Sequence, residues 1–229
     1  MKSPLGIHPA LVPTIFAVAL GAMMQARASA NLVANPSFEA DVAPDNGYIL
    51  GTPSLWTSVG GGADVIRSGY LGASVAPDGM QWTDIIGGAN GASGGPFPTG
   101  ISQSVTLTQG LTYSLSFNYS GDAASAPLDV SVAGLFSVSL PSAGLNPFPA
   151  GGPATPWASF VTTFMASVSG DYQLSFTTAS GSYGAPHLDN VVLMEVQAED
   201  VPEPSTYAAA GFVAALAGFQ LWRRRACRA

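Results

Sequence analysis

Few residues in this 229-residue chain are equipped for covalent chemistry. His187 is the one histidine beyond the first thirty residues, and no serine sits in a nucleophile motif of the G-x-S-x-G kind. Thirteen Asp and Glu lie between residues 31 and 200, but no spacing among them selects the facing carboxylate pair of a glycosidase. No Cys/His metal pattern is present. The glycine cluster at 87–95 lacks the lysine and the following helix of a phosphate loop. The single cysteine, Cys227, falls in the basic C-terminal end, so the main body has no disulfide and no thiol nucleophile. The chain therefore reads as a non-enzyme. What it does offer is binding chemistry. Trp82 with Asp84, in Gly79-Met80-Gln81-Trp82-Thr83-Asp84, combines an aromatic platform with a carboxylate, and Tyr183 near His187 is a second such combination. A ring face beside a polar group suits a pyranose, which has an apolar face and polar edges. Trp56 and Trp157 precede strand-like runs and read as core.

Short strands must position these residues. In 112–120, Tyr113, Leu115, Phe117 and Tyr119 fall on one face, with Ser114, Ser116, Asn118 and Ser120 on the other. This period of two marks a half-buried strand. The run 171–177 repeats it with Tyr172, Leu174 and Phe176. Further strands are predicted at 32–38, 63–67, 101–107, 128–132, 136–140, 158–166 and 188–196. About nine strands separated by Gly, Pro, Asn and Asp predict an all-β sandwich of two antiparallel sheets. The Gly-, Ala- and Pro-rich stretches 87–100 and 141–156 are predicted to be exposed loops. No helical periodicity of useful length and no fixed-period repeat appears between 31 and 198.

Composition agrees. Only 9% of residues are charged, with 27 Gly and 18 Pro, while aliphatic and aromatic residues remain plentiful enough for a core. Of seven Lys and Arg, only Arg67 lies between 31 and 200. So acidic a body excludes nucleic acid as a partner, because phosphate binding needs a basic surface. It supports solubility, and it suits cations.

Both ends look like address labels. Lys2, an apolar stretch from Leu11 to Met24 and the small-x-small site Ala28-Ser29-Ala30 form the layout of a secretory signal peptide over 1–30, with cleavage before Asn31. At the other end, Val201-Pro202-Glu203-Pro204-Ser205-Thr206 precedes an apolar run over 207–222 and Arg223-Arg224-Arg225. Proline lacks the N–H and restricts its neighbours, so the Pro-Glu-Pro triplet is extended and open to a processing enzyme. Ser205 or Thr206 can cap a following helix. The 16 residues of the run span about 24 Å as a helix, short against a hydrocarbon core of about 30 Å. Local thinning and snorkelling arginines can close that gap, and the arginines mark the cytoplasmic side.

The tail resembles the PEP-CTERM sorting signal, the substrate tag of exosortases, through Pro202-Glu203-Pro204, the apolar span and Arg223–Arg225 over residues 199–229. The resemblance implies processing by an exosortase near Val201, Pro202, Glu203 and Pro204. It also implies membrane attachment through a C-terminal transmembrane helix, and display at the cell surface or in the extracellular matrix.

The body, residues 31–198, resembles the galactose-binding-like jelly rolls, which include several carbohydrate-binding modules. The residues that carry this are the opening Asn31-Leu32-Val33-Ala34-Asn35-Pro36-Ser37-Phe38-Glu39, Trp56, Gly69-Tyr70-Leu71-Gly72, Ala76-Pro77-Asp78-Gly79 and Ile101-Ser102-Gln103-Ser104-Val105. The closing His187-Leu188-Asp189-Asn190-Val191-Val192-Leu193 completes the pattern. This implies a jelly-roll β-sandwich and a glycan such as exopolysaccharide as partner, with a structural surface or matrix protein lacking a specific ligand as the alternative. It also implies a structural calcium shared by the first and last segments. The matching oxygen donors are Glu39 and Asp189, with Asp41 in addition and backbone carbonyls completing the shell.

Overall fold

The structure, a computed structural model, describes residues 29–72, 75–86, 98–121, 126–142, 145, 157–178 and 185–196. The chain divides into two units, Met1–Val196 and Gln197–Ala229. The expected signal peptide up to residue 28, Tyr183, and the whole sorting tail with Val201, Pro202, Glu203 and Pro204 lie outside the described residues.

Eleven strands are present among the described residues. They are β1 (Tyr48–Leu50), β2 (Thr57–Val59), β3 (Asp64–Arg67), β4 (Gln81–Asp84), β5 (Thr99–Leu107), β6 (Thr112–Gly121), β7 (Leu128–Val132), β8 (Phe136–Leu140), β9 (Ala158–Met165), β10 (Gly170–Thr178) and β11 (Pro186–Glu195). They form a six-stranded sheet in the order β1-β3-β4-β11-β6-β9 and a five-stranded sheet in the order β2-β5-β10-β7-β8, with every pairing antiparallel. The last eight strands follow jelly-roll connectivity, β4-β11-β6-β9 in one sheet and β5-β10-β7-β8 in the other.

The period-two pattern is what makes the sandwich. Tyr113, Leu115 and Phe117 of β6 turn inward to meet Val105 and Leu107 of β5, Val130 of β7, and Leu174 and Phe176 of β10 in one core. Each such fully buried side chain contributes about 1.5–3 kcal/mol. Trp56 belongs to that core, with its ring 5.7 Å from Phe38 and 6.0 Å from Phe176. β11 keeps Leu188, Val191 and Leu193 all inside by means of a bulge. Asp189 pairs with Asn118 and Val192 with Ser116, so Asn190 and Val191 together oppose Phe117, and Asn190 takes up the extra residue at φ 53°.

Three differences from the sequence pattern have local causes. Residues 32–38 are not a strand, because Asn35 and Phe38 adopt positive φ around Pro36. The segment still runs beside β11, with the Leu32 N–H donating to Leu193 O (2.8 Å) and the Val191 N–H donating to Pro36 O (2.9 Å). The strands β1, β2 and β4 have three, three and four residues, too few to show a periodicity. Thr99 and Gly100 open β5, so the loop expected over 87–100 ends earlier.

Candidate functional site

The two ends of the body are tied by side chains. Asn31 donates through Nδ2 to Val191 O (3.0 Å) and accepts through Oδ1 from the Leu193 N–H (2.9 Å). Gln103, buried on β5, accepts from the Ala34 N–H (2.7 Å) and donates to Ala34 O and Leu55 O. These bonds hold the opening segment against both sheets and deliver Glu39 to the turn at Asp78–Gly79.

That turn is gripped by carboxylates from both ends. Glu39 Oε1 accepts from the Met80 and Gln81 N–H groups at 2.6 and 2.7 Å. Asp189, fully buried, accepts from the Asp78 N–H at 2.9 Å and from the Asn190 N–H at 2.7 Å. The Asp78 carboxylate accepts from Ser37 Oγ. Gln81 binds the other way, donating to Phe38 O and Asp41 O and accepting from the Ala43 N–H. Gly79 sits at φ +70°, and a Cβ there would lie 2.5 Å from Glu39 Oε1, so only glycine lets that carboxylate approach. Burial pushes the Asp189 carboxyl up to about 8. The Asp78 and Asn190 amides pull it down, and the Asp78 and Glu39 carboxylates add to the upward push.

Asp41 does not join this group. Its carboxylate accepts from the Ser54 N–H and Oγ, both at 2.6 Å, and its contribution to the turn is its backbone carbonyl. The remaining carboxylates are oxygen donors of the kind a hard cation takes, though Glu39 and Asp189 are each already bonded to two backbone N–H groups. Three carboxylates lie within electrostatic reach of one another, and Arg67, the sole Lys or Arg of the body, is committed to Asp45 at 2.9 Å. Among the described residues no three acidic or imidazole groups close on one point, so an ion here would need backbone carbonyls as well.

Trp82 is not an exposed platform. β3 and β4 pair Ile66 with Trp82, and the same face carries Asp64, Asp84, His187 and Asp189. Trp82 is fully buried with Ile66 and Ala76, and its ring meets Trp157 edge-on at 5.8 Å. Trp157 is thus in a small outer cluster with Tyr70 rather than in the main core. Asp84 accepts from the Ile86 N–H and lies 3.9 Å from His187 Nε2. His187 is fully buried, and burial lowers its pKa to about 3, so the ring is neutral.

The outer face of the five-stranded sheet is different. Ser104 and Thr106 of β5, Gln173, Ser175 and Thr177 of β10, Asp129 and Ser131 of β7, and Ser137 and Ser139 of β8 all point outward, away from the core rows. A shallow depression of about 390 Å³ opens on it, lined by Asp129, Ser131, Ser137, Ser139 and Thr177. Sequence reading passed over this face because it holds no aromatic ring. Its signal was the polar alternation in two short strand-like runs, Asp129 with Ser131 and Ser137 with Ser139.

No protein-family model matches the chain. No curated protein matches it either. Among solved structures, the sandwich is similar to a cyclase from Fischerella sp. TAU at TM-score 0.56 and 15% identity, covering 75% of this chain and 100% of that one. It is also similar to a family 61 carbohydrate-binding module in complex with beta-1,4-galactotriose, at TM-score 0.46 and 20% identity over 73% of this chain and 100% of that one. A xylan-binding domain from Paenibacillus barcinonensis matches at TM-score 0.43 and 19% identity, over 76% of this chain and 99% of that one. At 15% identity, the likeness to the cyclase speaks for the fold alone.

Proposed function

We propose that this is an exported, exosortase-sorted surface or extracellular-matrix protein whose sandwich binds a glycan such as exopolysaccharide. In this reading residues 1–30 are removed on export. Val201-Pro202-Glu203-Pro204 is the processing motif, and the helix over 207–222 with its basic end 223–229 holds the chain in the membrane until an exosortase acts. The reading rests on the order of triplet, apolar span and arginines in the tail. Binding is assigned to the hydroxyl-rich face around Asp129, Ser137, Ser139 and Thr177, whose depression offers hydroxyls and a carboxylate to a hydroxyl-rich polymer. Calcium at Glu39 and Asp189 serves the fold by tying the two ends of the body. Catalysis is not part of the proposal, since His187 is sealed in the fold and held neutral.

The burial of Trp82 favours a second reading, a matrix protein with no specific ligand. Two measurements separate the possibilities. In the source bacterium, Pro202→Ala with Glu203→Ala should leave unprocessed precursor in the membrane, and unchanged processing removes the sorting reading. In a pull-down with polysaccharide secreted by the same cells, the protein should be retained and Asp129→Ala should weaken retention. Equal recovery of both from a control resin leaves the ligand-free reading.

A further inference from the structure

Four strands end the two sheets: β1 and β9 in one, β2 and β8 in the other. β1 and β2 have three residues each and β8 has five, whereas β9 has eight. β9 pairs with β6 in an unbroken register from Thr112 opposite Met165 to Tyr119 opposite Ala158. Among the described residues nothing pairs with its other side. A long edge of this kind presents unpaired N–H and C=O groups, and solitary sandwiches blunt it with charge, proline or a bulge. The β9 sequence, Ala-Ser-Phe-Val-Thr-Thr-Phe-Met, contains none of these.

Charge and sequence both point to a second copy as the occupant. Two acidic bodies repel each other over most of their surface. Between Asp129 and Asp171, however, the chain carries no Asp, Glu, Lys, Arg or His, and the whole of β9 lies within that stretch. The strand is also close to a palindrome about Thr162. Laid antiparallel on itself, it sets Phe160 opposite Phe164 of the other copy and Thr162 opposite Thr162 on the inner face. On the outer face Val161 meets Thr163. Aromatic pairs and threonine pairs are favourable cross-strand neighbours. The inner rings are already ordered, Phe160 at 5.1 Å from Phe117 and Phe164 at 6.1 Å from Tyr113, so little is left to fix on association.

We propose that two copies of the protein join through β9, antiparallel and centred on Thr162, merging two six-stranded sheets into one continuous sheet. The arrangement is a closed twofold one, because each copy has a single long edge and uses it once.

The test is sedimentation velocity of the purified full chain and of two double variants. Val161 and Thr163 are both exposed, so substitutions there leave the core alone, and matching melting curves check this. Wild type should be a dimer. V161K/T163K places lysine opposite lysine twice in each dimer and should weaken association by roughly tenfold or more. V161E/T163K places glutamate opposite lysine in the same register and should restore the dimer. A monomeric wild type, a like-charge variant that still dimerises, failure of the opposite-charge variant to recover, or open-ended association would each overturn the proposal.

Discussion

Two outer faces of this sandwich look alike in sequence and differ in what lies over them. On the six-stranded sheet, β3, β4 and β11 turn Asp64, Asp84, His187 and Asp189 away from the core, yet His187 and Asp189 are fully buried. The opening segment with Glu39, the Asp78–Gly79 turn and the cluster of Tyr70, Ala76 and Trp157 cover that face. On the five-stranded sheet, Ser104, Thr106, Ser137 and Ser139 stay exposed. The covered face is structural, its polar groups spent on holding chain segments. The open face leaves its serine and threonine side chains at the surface, with Thr106 donating to Asp171 (2.6 Å).

The sharpest way to break this comparison is to remove matter from each face in turn. Trp82→Ala should cost about 3–5 kcal/mol in denaturant unfolding, the usual loss for a buried large aromatic. A loss below about 1 kcal/mol, the level of an ordinary surface change, would mean the ring is not structural.

Titration should also separate the faces. The folded state holds a proton on Asp189 up to about 8 against an ordinary 3.8, so the unfolded chain releases it first and stability falls as pH rises through that window. His187 works in the opposite sense. Its pKa of about 3 against 6.5 means stability is lost as pH falls below 6.5, offsetting Asp189 between about 4 and 6.5. A net decline of roughly 2 kcal/mol is therefore expected between about pH 6.5 and 8. Asp189→Asn should flatten that decline. Saturating calcium should favour the carboxylate and stabilise the wild type by about 2.7 kcal/mol at a hundredfold excess over its dissociation constant, which raises the melting temperature and removes the slope. Melting curves that do not change with chelator, calcium or pH would strip Asp189 of both roles.

Gly79→Ala should cost about 1–2 kcal/mol, since it combines a positive φ with a collision at Glu39. A cost near zero in the same unfolding assay would show that the Glu39 grip on the turn is loose. Smallest of all, Ser139→Ala on the open face should change stability by no more than about 0.5 kcal/mol. A larger loss would mean that this face, too, is covered.

Much of the fold was legible because its signal is local. The strands 128–132 and 136–140 match the structure, and 112–120 and 171–177 fall short by one residue at an end or both, since a period of two read over five or more residues is set by the pleat. The expected strand over 32–38 failed for a reason also present in the sequence, the turn-forming Asn35-Pro36 pair. The word Ala76-Pro77-Asp78-Gly79 was legible as a motif, but its role as the anchor of two carboxylates was not.

The sequence by itself determined the all-β class, the inward rows of aromatic and aliphatic residues, and the acidic body with an uncharged middle. Only the tertiary structure decided that Trp82 is structural filling, that Asp41 serves Ser54, and that Asp189 is buried among like charges. Alternation assigns a side chain to a face of a strand. Whether that face meets water depends on which other segments cover it, and here these are residues 31–43, far in sequence from β11, and the described residues 70–72 and 75–80 of the β3–β4 connection.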